Sequence, residues 1–363
     1  MKKILKKYFS IWGRPAILIA MWKNRAENCL KRGEVSPLLR IFHRILPLAA
    51  AICLLSGCGH IAGASTEEPV FVDAVSPGVV SLEEEAVALA GAPAPSDTLL
   101  EPEAPGVLTK ENQKAVIDYS NTEDGYVMVR YSAATSKRLK AQVKGPNTTY
   151  TYNLSVGEWE TFPLSDGNGS YQVVVYENIS GTKYATVLSI RFNVTLTDEF
   201  APFLRPNQYV DYGVAPNTVA KARELTENLT EPLKKVQAVY DFVVNNITYD
   251  YQLAQTVQSG YLPVLDTVLA SKSGICFDYA SLMTGMLRSQ GIPCKLVVGY
   301  AGTAYHAWIS VWSEETGWVD GAIYFDGVSW QRMDPTFASS GRQSAAIKKY
   351  IGDASNYTEK YLY

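Results

Sequence analysis

Histidine and cysteine are scarce in this chain, and their scarcity narrows its chemistry. Among 363 residues there are three histidines and five cysteines. The globular part keeps one histidine, His306, and two cysteines, Cys276 and Cys294. That set is too small and too scattered for a zinc cluster, so the sequence predicts no metal and no cofactor. Charge is modest as well. Charged residues make up 19% of the chain and the formal net charge is −3, which leaves no electrostatic footprint for nucleic acid. Nor is there a long apolar stretch: the run Ile45–Leu55 falls short of the about 20 residues that a spanning helix needs. What the chain does have is 47% hydrophobic residues, the proportion of a globular protein. Its length suits two ordinary domains plus extra segments.

The N-terminal run has a different use. Lys31, Arg32, Arg40 and Arg44 precede it, and a charged segment before a short apolar one reads as a secretion signal. It ends in Leu55-Ser56-Gly57-Cys58, which resembles the lipobox of bacterial lipoproteins. This predicts a signal over residues 1–58 with an unusually long basic lead, for which Met21 is an alternative start. Cleavage before Cys58 would leave that cysteine to carry lipid. The expected location is the outer face of a bacterial membrane, with Cys58 as the anchor. Residues 59–110, rich in Ala, Pro, Glu, Ser and Gly, are expected to form a disordered tether. Cys29 and Cys53 would be lost on export. A Cys276–Cys294 disulfide is permitted in that compartment, but it would silence a thiol, and both are expected to be free.

Residues 111–200 read as an all-β sandwich of Ig-like size. Alternating runs recur at Tyr126–Tyr131, Leu139–Val143, Thr149–Leu154, Tyr171–Tyr176 and Thr186–Val194. Turn signals separate them at Gly145-Pro146-Asn147, Ser165–Gly169 and Ser180-Gly181-Thr182,. No catalytic cluster lies there, and a spacer or adhesion role is expected. Residues 201–363 change to an α+β pattern. Asn217 suits the cap of a helix reaching about Asn228. Pro232 suits the first position of another, with Leu233, Val236, Tyr240 and Val243 at helical spacing,. Asn246–Asp250 reads as a helix exit into an extended stretch, and residues 251–272 as loop with a short helix. Tyr350, Tyr357, Tyr361 and Tyr363 read as a final packed segment.

The chemistry gathers between these points. Tyr279, Leu282, Met283, Met286 and Leu287 fall on one helical face,. Ser273 and Gly274 suit the start of that helix, and Gly291 with Pro293 beyond it suits the end. Cys276 then lies in the first turn of an amphipathic helix. The partial positive charge there favours thiolate over thiol, and the N–H groups of the same turn can hold an oxyanion. A strand follows in which Leu296, Val298 and Tyr300 alternate. After Ala301–Ala304, a second strand puts His306, Trp308, Ser310 and Trp312 on one face, and Ala307, Ile309 and Val311 on a core-like face. A third strand, Trp330–Asp334, ends in a carboxylate. If the second and third strands are antiparallel neighbours, Asp334 meets His306 and fixes its tautomer. Taken singly, each residue has an ordinary explanation: a small buried hydrophobe, a structural histidine, a turn. Together, in this local structure, a thiol, an imidazole and a carboxylate point to covalent acyl chemistry.

These residues resemble the transglutaminase-like superfamily of papain-like thiol enzymes. The matching pieces are Gly274 through Ala280, Gly291-Ile292-Pro293-Cys294-Lys295, Val298-Gly299-Tyr300, His306-Ala307-Trp308 and Trp330 through Thr336. Asn246–Asp250 is similar to an upstream segment of the family. The resemblance implies an α+β core over 201–363, a helix bearing the cysteine packed on an antiparallel sheet. It implies Cys276 as nucleophile, His306 as general acid/base and Asp334 as the residue that orients the histidine. Tyr249 would shape the site or assist the oxyanion, and Trp308 and Trp330 would pack beside the triad. The implied reaction forms a thioester from a peptide or carboxamide. Water as second nucleophile makes a protease or amidase, the preferred reading, because water is always present. An amine makes a transglutaminase. A non-catalytic binding module on the same scaffold is the remaining reading. Peptide or protein substrates, including cell-wall peptides, suit the expected location. The chain departs from the family twice: Lys295 stands where an arginine is frequent, and Ser310 near where an acidic residue is frequent. No calcium signature like that of the animal enzymes is present.

Overall fold

The computed structural model describes residues 99–313, 317–320, 322–325, 330–333, 336 and 353–363. The expected signal with Cys58, most of the expected tether, and Asp334 lie outside these residues.

The first half is built from eight strands: β1 (Thr109–Glu111), β2 (Ala115–Asp118), β3 (Tyr126–Tyr131), β4 (Leu139–Lys144), β5 (Thr149–Leu154), β6 (Trp159–Pro163), β7 (Gly169–Ser180) and β8 (Lys183–Val194). They form two four-stranded antiparallel sheets, in the orders β1-β2-β3-β6 and β5-β4-β7-β8. Strand alternation explains the arrangement. In β4, Leu139, Ala141 and Val143 are buried while Lys140, Gln142 and Lys144 are partly exposed. Ala115, Ile117, Val127 and Val129 of the other sheet join the same core, so the two sheets make a sandwich. All five alternating runs are strands. The three short strands β1, β2 and β6 offer too little alternation to be read from sequence. Residues just before β1 are held along the sandwich: the Gly106 N–H donates to Asp118 Oδ2 at 2.7 Å and the Leu108 N–H to Ser120 Oγ at 2.8 Å. The expected tether therefore does not extend to residue 110.

The second half begins with α1 (Pro216–Thr226), α2 (Pro232–Asn246), β9 (Thr248–Tyr249), α3 (Tyr251–Thr256), α4 (Leu265–Ser271), β10 (Ser273–Gly274) and α5 (Cys276–Arg288). Pro232 opens α2 as expected. In α1, however, Pro216 takes the first position, and Asn217 is not the cap. Its backbone and side-chain N–H groups instead donate to Asp266 Oδ2 at 3.1 and 2.8 Å.

Then follow β11 (Cys294–Ala301), β12 (Ala304–Ser313), β13 (Gly317–Asp320), β14 (Ala322–Phe325), β15 (Trp330–Met333) and β16 (Tyr357–Leu362). Four of these make an antiparallel sheet in the order β13-β12-β11-β16, and β14 pairs with β15. The direct pairing of the His306 and Trp330 strands, on which the expected Asp334–His306 contact is conditional, is not seen among the described residues, where β15 pairs with β14. The chain turns back at Gly317 (φ 72°), so β13 pairs with the far end of β12, Ser310–Ser313, while β14 lies against β12 and carries β15 as its own partner.

Helix α5 lies at the centre. The sequence predicts one apolar face, but residues 277–288 are buried all round, including Asp278, Ser281 and Thr284. Packing explains this: α1, α2 and α4 cover one side, and β11 and β12 the other. The C-terminal tyrosines complete the core. Tyr361 meets Tyr150 tilted at 5.8 Å and Tyr363 meets it edge-on at 5.6 Å between ring centroids, so one continuous core joins the sandwich to the helical half.

Candidate active site

Cys276 is delivered by a short, closely held stretch. Helix α4 ends at Lys272 in the left-handed conformation (φ 52°). Ser273 and Gly274 then run parallel to Thr248 and Tyr249, bonded by Thr248 N–H to Lys272 O at 2.8 Å and Asp250 N–H to Gly274 O at 2.9 Å. They are strand rather than helix start, a correction to the sequence reading. Ile275 is the cap residue, extended at φ −94°, ψ 178°. The first helical bond runs from Tyr279 N–H to Ile275 O at 3.1 Å. Cys276 is therefore the first residue of α5, where N–H groups lack intrahelical acceptors.

Two further residues shape this turn. Asp278 Oδ2 accepts the Ile275 N–H at 2.8 Å, and Oδ1 accepts the Tyr261 O–H at 2.7 Å. Gly274 makes room, since a Cβ there would lie 2.5 Å from Asp278 Cβ. Burial pushes the Asp278 carboxyl up, and the nearby Asp250 acts in the same direction, while the Tyr261 and Ile275 hydrogen bonds oppose it. Sequence reasoning missed both residues. The available signal was an acidic residue three positions after the cap, the second half of a capping box.

Cys276 is half-buried and free, and Cys294 is buried and free. Burial pushes the Cys294 thiol up to about 12, so it is a core residue facing Thr284 (Sγ to Oγ1 3.6 Å).

β12 brings the next group. Its register sets Tyr305 opposite Tyr300 and His306 opposite Gly299. Ala307, Ile309 and Val311 join Leu296 and Val298 in the core beneath α5. By alternation Tyr305 lies on that face, and it stands near the thiol. Burial foremost raises its phenol, and Tyr361, Tyr209, Tyr300 and Cys276 add to the effect. His306 lies on the reverse face, off the apolar stripe as expected, and is buried. Its ring stacks with that of Trp308 at 6.2 Å and 22°, and Trp308 meets Tyr357 edge-on at 5.2 Å. That reverse face is itself covered, for Trp312 packs on Phe200 at 4.8 Å. β12 packs against α5, the helix that Cys276 opens, with Tyr305 at the strand's beginning on the α5 side and His306 next along it on the other face.

Tyr249 pairs with Gly274, and its ring lies 5.0 Å from that of Tyr251 and 6.4 Å from that of Tyr279. It flanks the strand that leads into Cys276. Trp330 opens β15 opposite Phe325.

Part of the chain is similar to known proteins. The sequence profile of the transglutaminase-like superfamily matches residues 219–335. The protein-glutamine gamma-glutamyltransferase of Pseudomonas aeruginosa is 28% identical over 155 residues, 38% of this chain and 21% of that protein. The kyphoscoliosis peptidase of Mus musculus is 29% identical over 118 residues, 32% of this chain and 17% of that protein. The chain thus spans about a fifth of the length of these curated relatives. Among solved structures, the red sea bream transglutaminase aligns with a TM-score of 0.28 at 13% identity, covering 65% of this chain and 57% of the other.

Proposed function

We propose that this member of the transglutaminase-like superfamily is a thiol enzyme that opens peptide or carboxamide bonds through a thioester on Cys276. The observation that carries the reading is the position of that thiol: free, half-buried, and first in a helix whose opening turn is clamped from two sides. The helix N-terminus favours the thiolate. Its attack on the carbonyl would place the oxyanion near the first-turn N–H groups. His306 would protonate the departing amine or ammonia, then take a proton from the water that cleaves the thioester. Asp334 would orient the imidazole. Since His306 lies on the face of β12 opposite Tyr305, this role requires the imidazole to reach the thiol around the beginning of the strand.

Water is the preferred second nucleophile, in keeping with the peptidase among the relatives. The relative named as a gamma-glutamyltransferase supports a second reading in which an amine accepts the acyl group. The segment from Ile45 to Cys58 supports an enzyme held by a lipid on Cys58 at a bacterial envelope, acting on peptides or proteins there, cell-wall peptides included.

The test is the rate of iodoacetamide alkylation against pH for the wild type, Cys276→Ala, Cys294→Ala and His306→Ala. Fast labelling at Cys276 below neutral pH, slowed by His306→Ala, is expected. Candidate peptides with and without a primary amine then separate hydrolysis from transfer by product mass. Slow labelling that ignores His306→Ala would overturn the enzyme reading and leave a binding module on the same scaffold.

A further inference from the structure

We infer that Asp278 and Tyr261 form a positioning pair for Cys276, the carboxylate fixing the first turn of α5 and the tyrosine fixing the carboxylate. The inference rests on the thiol-enzyme reading above and adds two residues to it. Asp278 is fully buried, and a carboxylate in the interior is costly unless its oxygens are bonded. Both oxygens are used: one takes the Ile275 N–H at 2.8 Å, the other the Tyr261 O–H at 2.7 Å. The first bond closes the backbone one residue before Cys276. The second comes from the loop between α3 and α4, seventeen residues away in sequence.

That loop is supported in turn. Gly260, next to Tyr261, has φ +87°, and a Cβ on it would lie 2.5 Å from Nδ2 of Asn153 in β5. The loop is therefore seated against the sandwich. Gln208 reaches the same strand through the Asn153 carbonyl at 2.7 Å. A line of contacts thus runs from β5 through Gly260 and Tyr261 to Asp278 and the cysteine turn.

A buried anion two residues from a nucleophilic thiolate works against that thiolate, and plain capping of the Ile275 N–H would be served as well by a neutral glutamine, which a capping box also admits. What a carboxylate offers here is two acceptor oxygens for two donors at fixed directions. Asparagine keeps one acceptor oxygen and puts a donor in place of the other, so the bond from the Tyr261 O–H is lost or must reverse.

The experiment uses Asp278→Asn and Tyr261→Phe in the full chain with two probes. The first is the pH at which iodoacetamide alkylation of Cys276 reaches half its plateau. The second is the burst rate of acylation by p-nitrophenyl acetate, in which the thiolate displaces p-nitrophenolate and an acetyl thioester forms. Asp278→Asn is expected to move the alkylation midpoint down by about one pH unit, because a neighbouring negative charge is removed. It should nevertheless slow acylation about 10- to 100-fold, because the nucleophile and oxyanion donors lose their alignment. Tyr261→Phe should slow acylation about tenfold with its melting temperature near the wild type. The charge effect on the midpoint appears whatever the role, whereas a merely structural role would lower stability and leave the acylation rate of the folded protein where it was. Should Asp278→Asn fail to fold, Tyr261→Phe decides, since it removes one hydroxyl and leaves the bond to Ile275. The pairing is overturned if the wild type labels rapidly with His306 dependence while folded Tyr261→Phe acylates at the wild-type rate. A wild type without His306-dependent labelling instead overturns the thiol-enzyme reading.

Discussion

Lys295 and Ser310 stand directly opposite one another on β11 and β12. The family resemblance placed an arginine near the first position and an acidic residue near the second, so both departures fall on a single cross-strand pair. Lys295 sets its ammonium over the Trp318 ring at 3.7 Å, with Phe203 at 5.1 Å, and Ser310 is fully buried beside it. Lys295→Met should cost about 1–2 kcal/mol through the lost cation–π contact. Ser310→Glu should be tolerated far better with Lys295 present than in the Lys295→Met background. Removing one partner of a buried ion pair costs about 3–5 kcal/mol. Urea denaturation of the four proteins in this cycle measures the coupling, and additive free energies would refute it.

Cys294 gives a prediction in the alkaline range. Its thiol is fully buried, and burial holds it at about 12 despite the opposing effects of Arg288 and Thr284. A cysteine in the unfolded chain ionises near pH ~8.5. Below that pH both states hold the proton and this group makes no difference to the slope. Between about pH 9 and about pH 12 the unfolded state holds fewer protons, so stability falls by about 1.4 kcal/mol per pH unit from this one thiol. Cys294→Ala should flatten the alkaline fall by that amount, measured by denaturant melts across the range. Parallel slopes for the two proteins would contradict it. Under native conditions near neutral pH, mass spectrometry should find iodoacetamide on Cys276 and none on Cys294.

The sequence was most legible where one period governed one element. Leu139, Ala141 and Val143 mark β4 by their alternation, and Tyr279 through Leu287 mark α5 by its helical spacing. Pairing was legible only where a turn declared it. β13 went unread because its hairpin depends on Gly317 meeting a strand that already had a partner. β16 went unread because its partner, β11, lies about sixty residues earlier, beyond any local pattern. The capping of α1 was misread because Pro216 fixes the first helical position whatever Asn217 offers. At the site, Cys276 and the apolar side of β12 followed from local periodicity. The Tyr261 contact to Asp278 did not, since nothing in the residues between them encodes it.

Lys272 is the one non-glycine residue with positive φ among those described. It sits at the end of α4, where glycine is the usual choice. Its Cβ crowds the backbone in that conformation, at about 1 kcal/mol. Lys272→Gly should therefore stabilise the fold by up to about 1 kcal/mol. Its backbone bonds to Val268 and Thr248 do not involve the side chain, so the alkylation profile of Cys276 should be unchanged. A thermal melt checks the first expectation and an iodoacetamide titration the second. A fall in melting temperature would mean that the lysine side chain holds this corner in its own right.

Tyr209 joins the parts of the molecule that the sequence presents as separate. Its ring lies 5.6 Å from Tyr152 of the sandwich, 4.6 Å from Tyr363 beyond β16, and 5.4 Å from Phe277, which follows Cys276. Burial raises its phenol to a value no ordinary pH will titrate, so the ring acts as a neutral core aromatic. Tyr209→Ala should cost about 3–5 kcal/mol, as for other large aromatics removed from a packed interior. The manner of unfolding is the sharper expectation. If the shared core is what couples the halves, the wild type melts in one transition, followed alike by tryptophan fluorescence and far-ultraviolet circular dichroism. In Tyr209→Ala the junction is weakened on three sides at once, and the helical half should lose structure before the sandwich does. Two coincident melts in the variant, displaced equally from the wild type, would show that the coupling runs through other contacts.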